Sequence, residues 1–362
     1  MNRGRLLVLL GALLFFLFPG GAWAEPNVNA KTAVVIDGYT GELLWGKDAD
    51  KLRAPASTIK MLTTMIALEQ LDLQEQVTVG EKAHQTYVGQ TIGLTQGDVL
   101  TVEDLVEAAL LWSANDAAVA LGEYLAETPE LFSFMMNYKA WALGAYRSRF
   151  VNPNGYSAPL QYSTAYDLAL IGRAAMQNPF IRNTVCKRNA KITWLNRKKT
   201  KEIANTNQLL ELYPYANGIK TGTTSAAGGC LVGSAIHGDR WLVTAVLGSS
   251  QRYADTISLL DYGINNFSQV AIAKEKVYAA IDVAKGEIKR AALVPEADIY
   301  LTVPNDKFSE VKIEVNLPST VAAPVKKGQV LGSVTVYYQD KLIGRTNLSA
   351  VENVKRKSIF FR

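Results

Sequence analysis

The chain has 362 residues, 48% apolar and 20% charged, with a formal net charge of +5. That length accommodates two domains, one of them able to bury a full core, and the balance is that of a globular protein. The positive excess is small and dispersed, with no long basic run, which argues against a nucleic-acid partner.

The N-terminus carries an export pattern. Asn2, Arg3 and Arg5 precede an apolar run from Leu6 to Phe18, then Pro19-Gly20-Gly21 and the small-x-small site Ala22-Trp23-Ala24. This reads as a signal peptide over residues 1–24, cleaved after Ala24. The run is 13 residues long, whereas a membrane span needs about 20. Losing Arg3 and Arg5 takes the net charge from +5 to +3.

Thr32 to Gly46 then reads as two strands around a Gly-bearing turn. Ile59, Leu62, Met65 and Ile66 share one helical face. Thr101 and Asp104 form a capping pattern before "LVEAALLW". Further helical periods run from Asp116 to Ala126, Glu130 to Ala145 and Thr164 to Met176; "FVNPNGYSAP" between the last two is a loop. "GIKTGTT" is a strand, and "GGCLVGSAIHGDRWLVTAVLGSS" a hairpin turning at Gly238-Asp239, with His237 at the surface. A helix from Tyr253 to Phe267 closes a first domain, residues 25–272. Strands, then helices, then strands imply an α+β layer fold, with the terminal strands sharing one antiparallel sheet. From Ala273 the period becomes two, separated by Pro, Gly and Asn, which predicts a smaller all-β domain over residues 273–362.

Two cysteines, Cys186 and Cys230, make one disulfide possible, but Cys230 in "GGCLVGSA" reads as a buried free thiol. His84 and His237 are the only histidines, and no Cys/His spacing suits a metal. No cofactor is expected.

Ser57 and Lys60 stand three apart at a helix start, which places Lys60 one turn on, over the same face. Taken alone, Ser57 reads as a cap and Lys60 as a lysine reaching for solvent. Ser309 and Lys312 repeat the spacing, yet in a strand an odd spacing sends the side chains to opposite faces. What singles out Ser57 is company. Ser113-Ala114-Asn115 is the only S-x-N, lying between two helices, and Lys220-Thr221-Gly222 is the only K-T-G, in a strand. S-x-x-K, S-x-N and K-T-G in that order mark penicillin-binding proteins and class A β-lactamases.

With "ANDAAVALGEYL", "FVNPNGY", "STAYDLALIGRAAM", "GIKTGTT" and "LLDYGI", nearly the whole mature chain resembles the serine D-alanyl-D-alanine carboxypeptidases, the low-molecular-mass penicillin-binding proteins. The resemblance implies a DD-peptidase/β-lactamase-like domain, an antiparallel sheet flanked by helices with a helical subdomain, followed by the β-rich domain. It implies removal of the terminal D-alanine from peptidoglycan stem peptides ending in D-Ala-D-Ala through an acyl group on Ser57, outside the cytoplasm, with β-lactam antibiotics as covalent inhibitors. A D,D-endopeptidase or a β-lactamase on the same fold are the alternatives. Many relatives end in an amphipathic anchor helix, whereas "ENVKRKSIFFR" is too short for one and supports weak peripheral membrane contact at most.

A serine hydroxyl needs a base, and with no histidine in a motif the candidate is Lys60, its pKa lowered by burial and by Lys220. Ser113 is expected to relay a proton to the leaving D-alanine, and Asn115 to bond the substrate's peptide group. Lys220 and Thr221 are expected to hold its carboxylate, and Gly222 to let its backbone approach. By resemblance, Thr223 lends a backbone N–H to the oxyanion hole beside that of Ser57, and Arg252 helps bind the carboxylate.

Overall fold

The computed structural model describes residues 25–274 and 276–358, so the export pattern at 1–24 and the last four residues lie outside the described residues. Five strands form the main sheet: β1 (Thr32–Asp37), β2 (Leu43–Lys47), β3 (Ala216–Thr224), β4 (Gly228–His237) and β5 (Arg240–Ser249). Their order is β2-β1-β5-β4-β3 and every pairing is antiparallel, so the two ends of the first domain share one sheet as expected. The β4–β5 turn falls at Gly238-Asp239. β3 is an edge strand, paired on one side to β4 and to no other strand among the described residues.

The longer helices are α1 (Lys60–Gln70), α2 (Asn115–Leu125), α3 (Pro129–Ala142), α4 (Ala165–Gln177) and α5 (Arg252–Asn266). A Cβ on Gly172 of α4 would meet Val232 and Val243, whereas one on Gly263 of α5 would meet Leu242 and Val35. Neighbours along a strand point to opposite faces. The sheet is therefore covered on both sides, which is why β1 is buried at all six positions. The face that carries Val243 continues into the core of the helical region, through Leu62, Leu105 and Leu121.

Among the described residues beyond α5 all regular elements are strands apart from one 3-10 turn: a six-stranded sheet and a two-stranded ribbon around Ile281, Leu293, Val334 and Leu348. The ribbon pairs Phe267–Ile272 with Ile299–Pro304, so the β-rich part begins one strand before the Ala273 expected from composition. Phe267 follows α5 directly, with no Pro or Gly to punctuate the change. The two parts touch where Asp37 accepts from Thr302 Oγ1 (2.7 Å) and Gln269 Nε2 (3.2 Å), and where Tyr39 stacks on Tyr300 at 4.2 Å. Cys186 is exposed and Cys230 buried, both as free thiols.

Candidate active site

Ser57 lies in a 3-10 turn, Ala56–Ile59, that feeds directly into α1. Its oxygen caps neither helix start. Ala56 before it is left-handed (φ 51°), a conformation costly for a residue with a Cβ and found where surroundings over-determine the backbone. The surroundings here are the loop after Phe150. A Cβ on Gly155 would lie 2.1 Å from Ala56 O, so only glycine lets this loop close on the serine turn.

Lys60, one turn on, is completely buried. Its Nζ lies 2.9 Å from Ser57 Oγ, 2.7 Å from Asn115 Oδ1 and 2.5 Å from Asn154 O. The last two are carbonyl oxygens, which only accept, so each takes an N–H. The third direction, toward Ser57, is an N–H in the ammonium and the lone pair in the amine. Burial, and then the charge of Lys220, hold the Lys60 pKa well below the ordinary lysine value, with Asp116 acting in the opposite sense. A neutral amine aimed at a hydroxyl can take its proton.

Ser113 ends a π-helical turn, Ala108–Trp112, in the left-handed conformation (φ 65°, ψ 30°). Such turns concentrate at functional sites because they redirect one side chain. Asn115 opens α2. Its Oδ1 takes the Lys60 bond and its Nδ2 donates to Val88 O at 2.8 Å. Both ends of the amide expected at the substrate are thus engaged within the protein.

Lys220, Thr221, Gly222 and Thr223 run along β3 beside the serine turn. Lys220 is completely buried, with Nζ on Thr221 O at 3.0 Å, where the Ala56–Ile59 turn packs against the strand. Burial and the nearby Arg252 charge lower its pKa to about 7. Thr221 Oγ1 meets Thr206 Oγ1 at 2.9 Å. A Cβ on Gly222 would stand 2.9 Å from Ser57 N and 3.0 Å from Ala56 Cβ, so this glycine serves the seating of the serine turn as well as any approach of substrate. Arg252 Nη1 donates to Thr223 Oγ1 (2.8 Å) and Gly222 O (3.1 Å).

A cleft of about 640 Å³ is lined by Ser57, Ser113, Asn115, Thr221, Gly222, Thr223 and Arg252; Lys60 and Lys220 sit behind its wall. Gly89, Gln90, Tyr156 and Ser157 also line the cleft. The sequence assigns none of these a role in the site, and Asn154 contributes a backbone carbonyl that no residue type announces. The alternative pair is separated: Ser309 lies in a 3-10 turn and Lys312 in a strand, where it binds Glu314 at 2.7 Å. His237 packs against Tyr215, away from the cleft. Asp167, in the first turn of α4, accepts from Arg147 N (2.8 Å) and Ser148 Oγ (2.7 Å) and does not line the cleft.

Residues 21–251 match the D-alanyl-D-alanine carboxypeptidase family, and residues 267–356 match the penicillin-binding protein 5 C-terminal domain. The chain is 29% identical over 376 residues to D-alanyl-D-alanine carboxypeptidase DacF of Bacillus subtilis, covering 98% of this chain and 95% of that one. It is 31% identical over 377 residues to D-alanyl-D-alanine carboxypeptidase DacC of Escherichia coli, covering 97% and 92%. Its fold is similar to penicillin-binding protein 5 from Haemophilus influenzae, with a TM-score of 0.68 at 29% identity over 92% of this chain and 99% of that one.

Proposed function

The chain belongs to the D-alanyl-D-alanine carboxypeptidase family, serine-type hydrolases of the bacterial cell wall, and from that premise we propose how its residues divide the work. Lys60 takes the proton from Ser57, and Ser57 Oγ attacks the carbonyl carbon of the penultimate D-alanine. The C–N bond breaks, and the departing D-alanine nitrogen receives a proton through Ser113. Water then cleaves the ester, releasing the shortened stem peptide and restoring the hydroxyl. The backbone N–H groups of Ser57 and Thr223 hold the oxyanion. Thr221, Thr223 and Arg252 receive the terminal carboxylate, with the Lys220 charge acting from behind. Asn115 orients Lys60 and keeps a second amide N–H for the substrate.

The observation that carries this reading is Lys60 Nζ, buried and 2.9 Å from Ser57 Oγ at the floor of the cleft. The pattern at residues 1–24 supports export to the compartment that holds peptidoglycan. Among the described residues no helix is long and apolar enough to cross a membrane.

The test is incubation with a peptide ending in D-Ala-D-Ala, following free D-alanine and the D-Ala-D-Ala dipeptide separately. D-alanine alone is the expected product. Failure to release it would contradict the reading, and cleavage confined to cross-linked peptides would favour the endopeptidase.

A further inference from the structure

Asp116 has no part in the chemistry above, yet it is 1% exposed and adjoins Asn115 in the first turn of α2. Its carboxylate accepts from the backbone N–H groups of Ile92 (3.1 Å), Gly93 (2.9 Å), Leu94 (3.0 Å) and Ala117 (2.9 Å). A first-turn acid ordinarily answers its own helix dipole. Here three of the four donors belong to a different segment. Asn115 holds the same segment, through Nδ2 to Val88 O (2.8 Å) and its backbone N–H to Gln90 O (2.8 Å). Gly89 and Gln90 of that segment line the cleft. Two consecutive residues thus bind one wall of the cleft, and the first of them also holds Lys60.

The charges around this point come from several elements. Lys60 contacts the uncharged Ser57, Asn115 and Asn154, and the charges that act on it are those of Lys220 from β3 and Asp116 from α2. Lys220 in turn faces Arg252 at the start of α5. The charge of Asp116 also acts on Lys199, which donates to Gly93 O at 3.1 Å and is acted on by Arg197, Asp98 and Lys201.

We propose that Asp116 is a positioning residue: its carboxylate fastens the Val88–Leu94 wall to α2 and supplies the negative charge that opposes Lys220 at Lys60. Burial and Lys220 both favour the neutral amine, which is the form that accepts the serine proton. Taken further, they would leave an amine too weak to hold that proton in the transition state. Asp116 moderates this. The inference rests on Lys60 as the base.

The test is the pH dependence of kcat/KM for D-alanine release by the wild type, Asp116→Asn, Asp116→Glu and Lys60→Ala, with thermal melting to monitor the fold. Activity rises through the pKa of Lys60, so the acid limb reports it. Asp116→Asn keeps an acceptor but removes the charge, and its acid limb should move to lower pH by roughly 0.5–1 unit. Asp116→Glu keeps the charge but cannot seat on the same N–H groups, so it should lose rate at every pH with the limb unmoved. Should Asp116→Asn fail to fold, Asp116→Ser is read in its place. An acid limb that stays put or rises in the neutral variant overturns the proposal. A limb that survives Lys60→Ala instead overturns the base assignment on which it stands.

Discussion

Lys60 Nζ meets Ser57 Oγ at 2.9 Å while its other two directions are held by the carbonyl oxygens of Asn115 and Asn154. An arginine there would keep the positive charge but could not release its proton. Lys60→Arg should therefore lower the rate of penicillin acylation roughly 10²–10⁴-fold, the usual worth of general-base catalysis. Stopped-flow acylation measures this, and a rate within threefold of wild type would remove Lys60 from the mechanism.

Gly222 has room for no side chain, since a Cβ would stand 2.9 Å from Ser57 N and 3.1 Å from Thr58 N. Gly222→Ala should displace the serine turn and disturb its N–H donor. Loss of one oxyanion donor costs about 10²–10³ in kcat, so acylation should fall on that scale. Melting temperature and acylation rate, taken together, separate this from unfolding: a folded variant acylating at the wild-type rate contradicts it.

Arg252 reaches Thr223 Oγ1 and Gly222 O at the cleft. If it receives the substrate's carboxylate, Arg252→Ala should weaken kcat/KM about 10–100-fold for free-acid peptides, the scale of a charged hydrogen bond. The matching C-terminal amides should change little. Equal losses on acid and amide would assign Arg252 to bracing β3 instead.

The buried lysines also set a pH dependence of stability. Lys220 has a folded pKa of about 7 against an ordinary 10.5. Between those values the unfolded chain binds a proton that the folded chain does not. Stability therefore rises with pH across that window and is lost as pH falls toward 7, and Lys60 acts in the same sense. Each such group contributes a slope of at most about 1.4 kcal/mol per pH unit. Urea unfolding across the window should show the rise, and Lys220→Met should flatten it; an equally steep slope in that variant would refute the burial argument.

Much of this arrangement was legible because it is local. Thr101 does cap its helix, Val102–Glu107, accepting from Asp104 N at 3.1 Å, and a helical period after Ser57 was enough to bring Lys60 over it. The unique S-x-N and K-T-G supplied Ser113, Asn115, Thr221 and Gly222 of the cleft wall. Asn154 was invisible because its contribution is a main-chain oxygen 94 residues from Lys60. "AALLW" reads as ordinary helix, and the π-helical turn that rotates Ser113 into the left-handed region follows from packing. Nothing in the residues of its own strand announces that Lys220 is completely buried. Its burial depends on the serine turn lying against β3, a contact between segments some 160 residues apart in sequence.

The central claim is that Ser57 carries the acyl group, and mass analysis after exposure to penicillin tests it most directly. No glutamate lies between Glu130 and Glu202, and Asp167, the only acid there, is engaged with Ser148 away from the cleft. In class A β-lactamases a glutamate drives the deacylating water; here the penicilloyl ester lacks that base. The wild type should show a covalent adduct lasting minutes or longer on the peptide containing Ser57, and Ser57→Ala none. A labelled Ser57→Ala protein, or rapid destruction of penicillin with no adduct trapped at short times, would contradict the account.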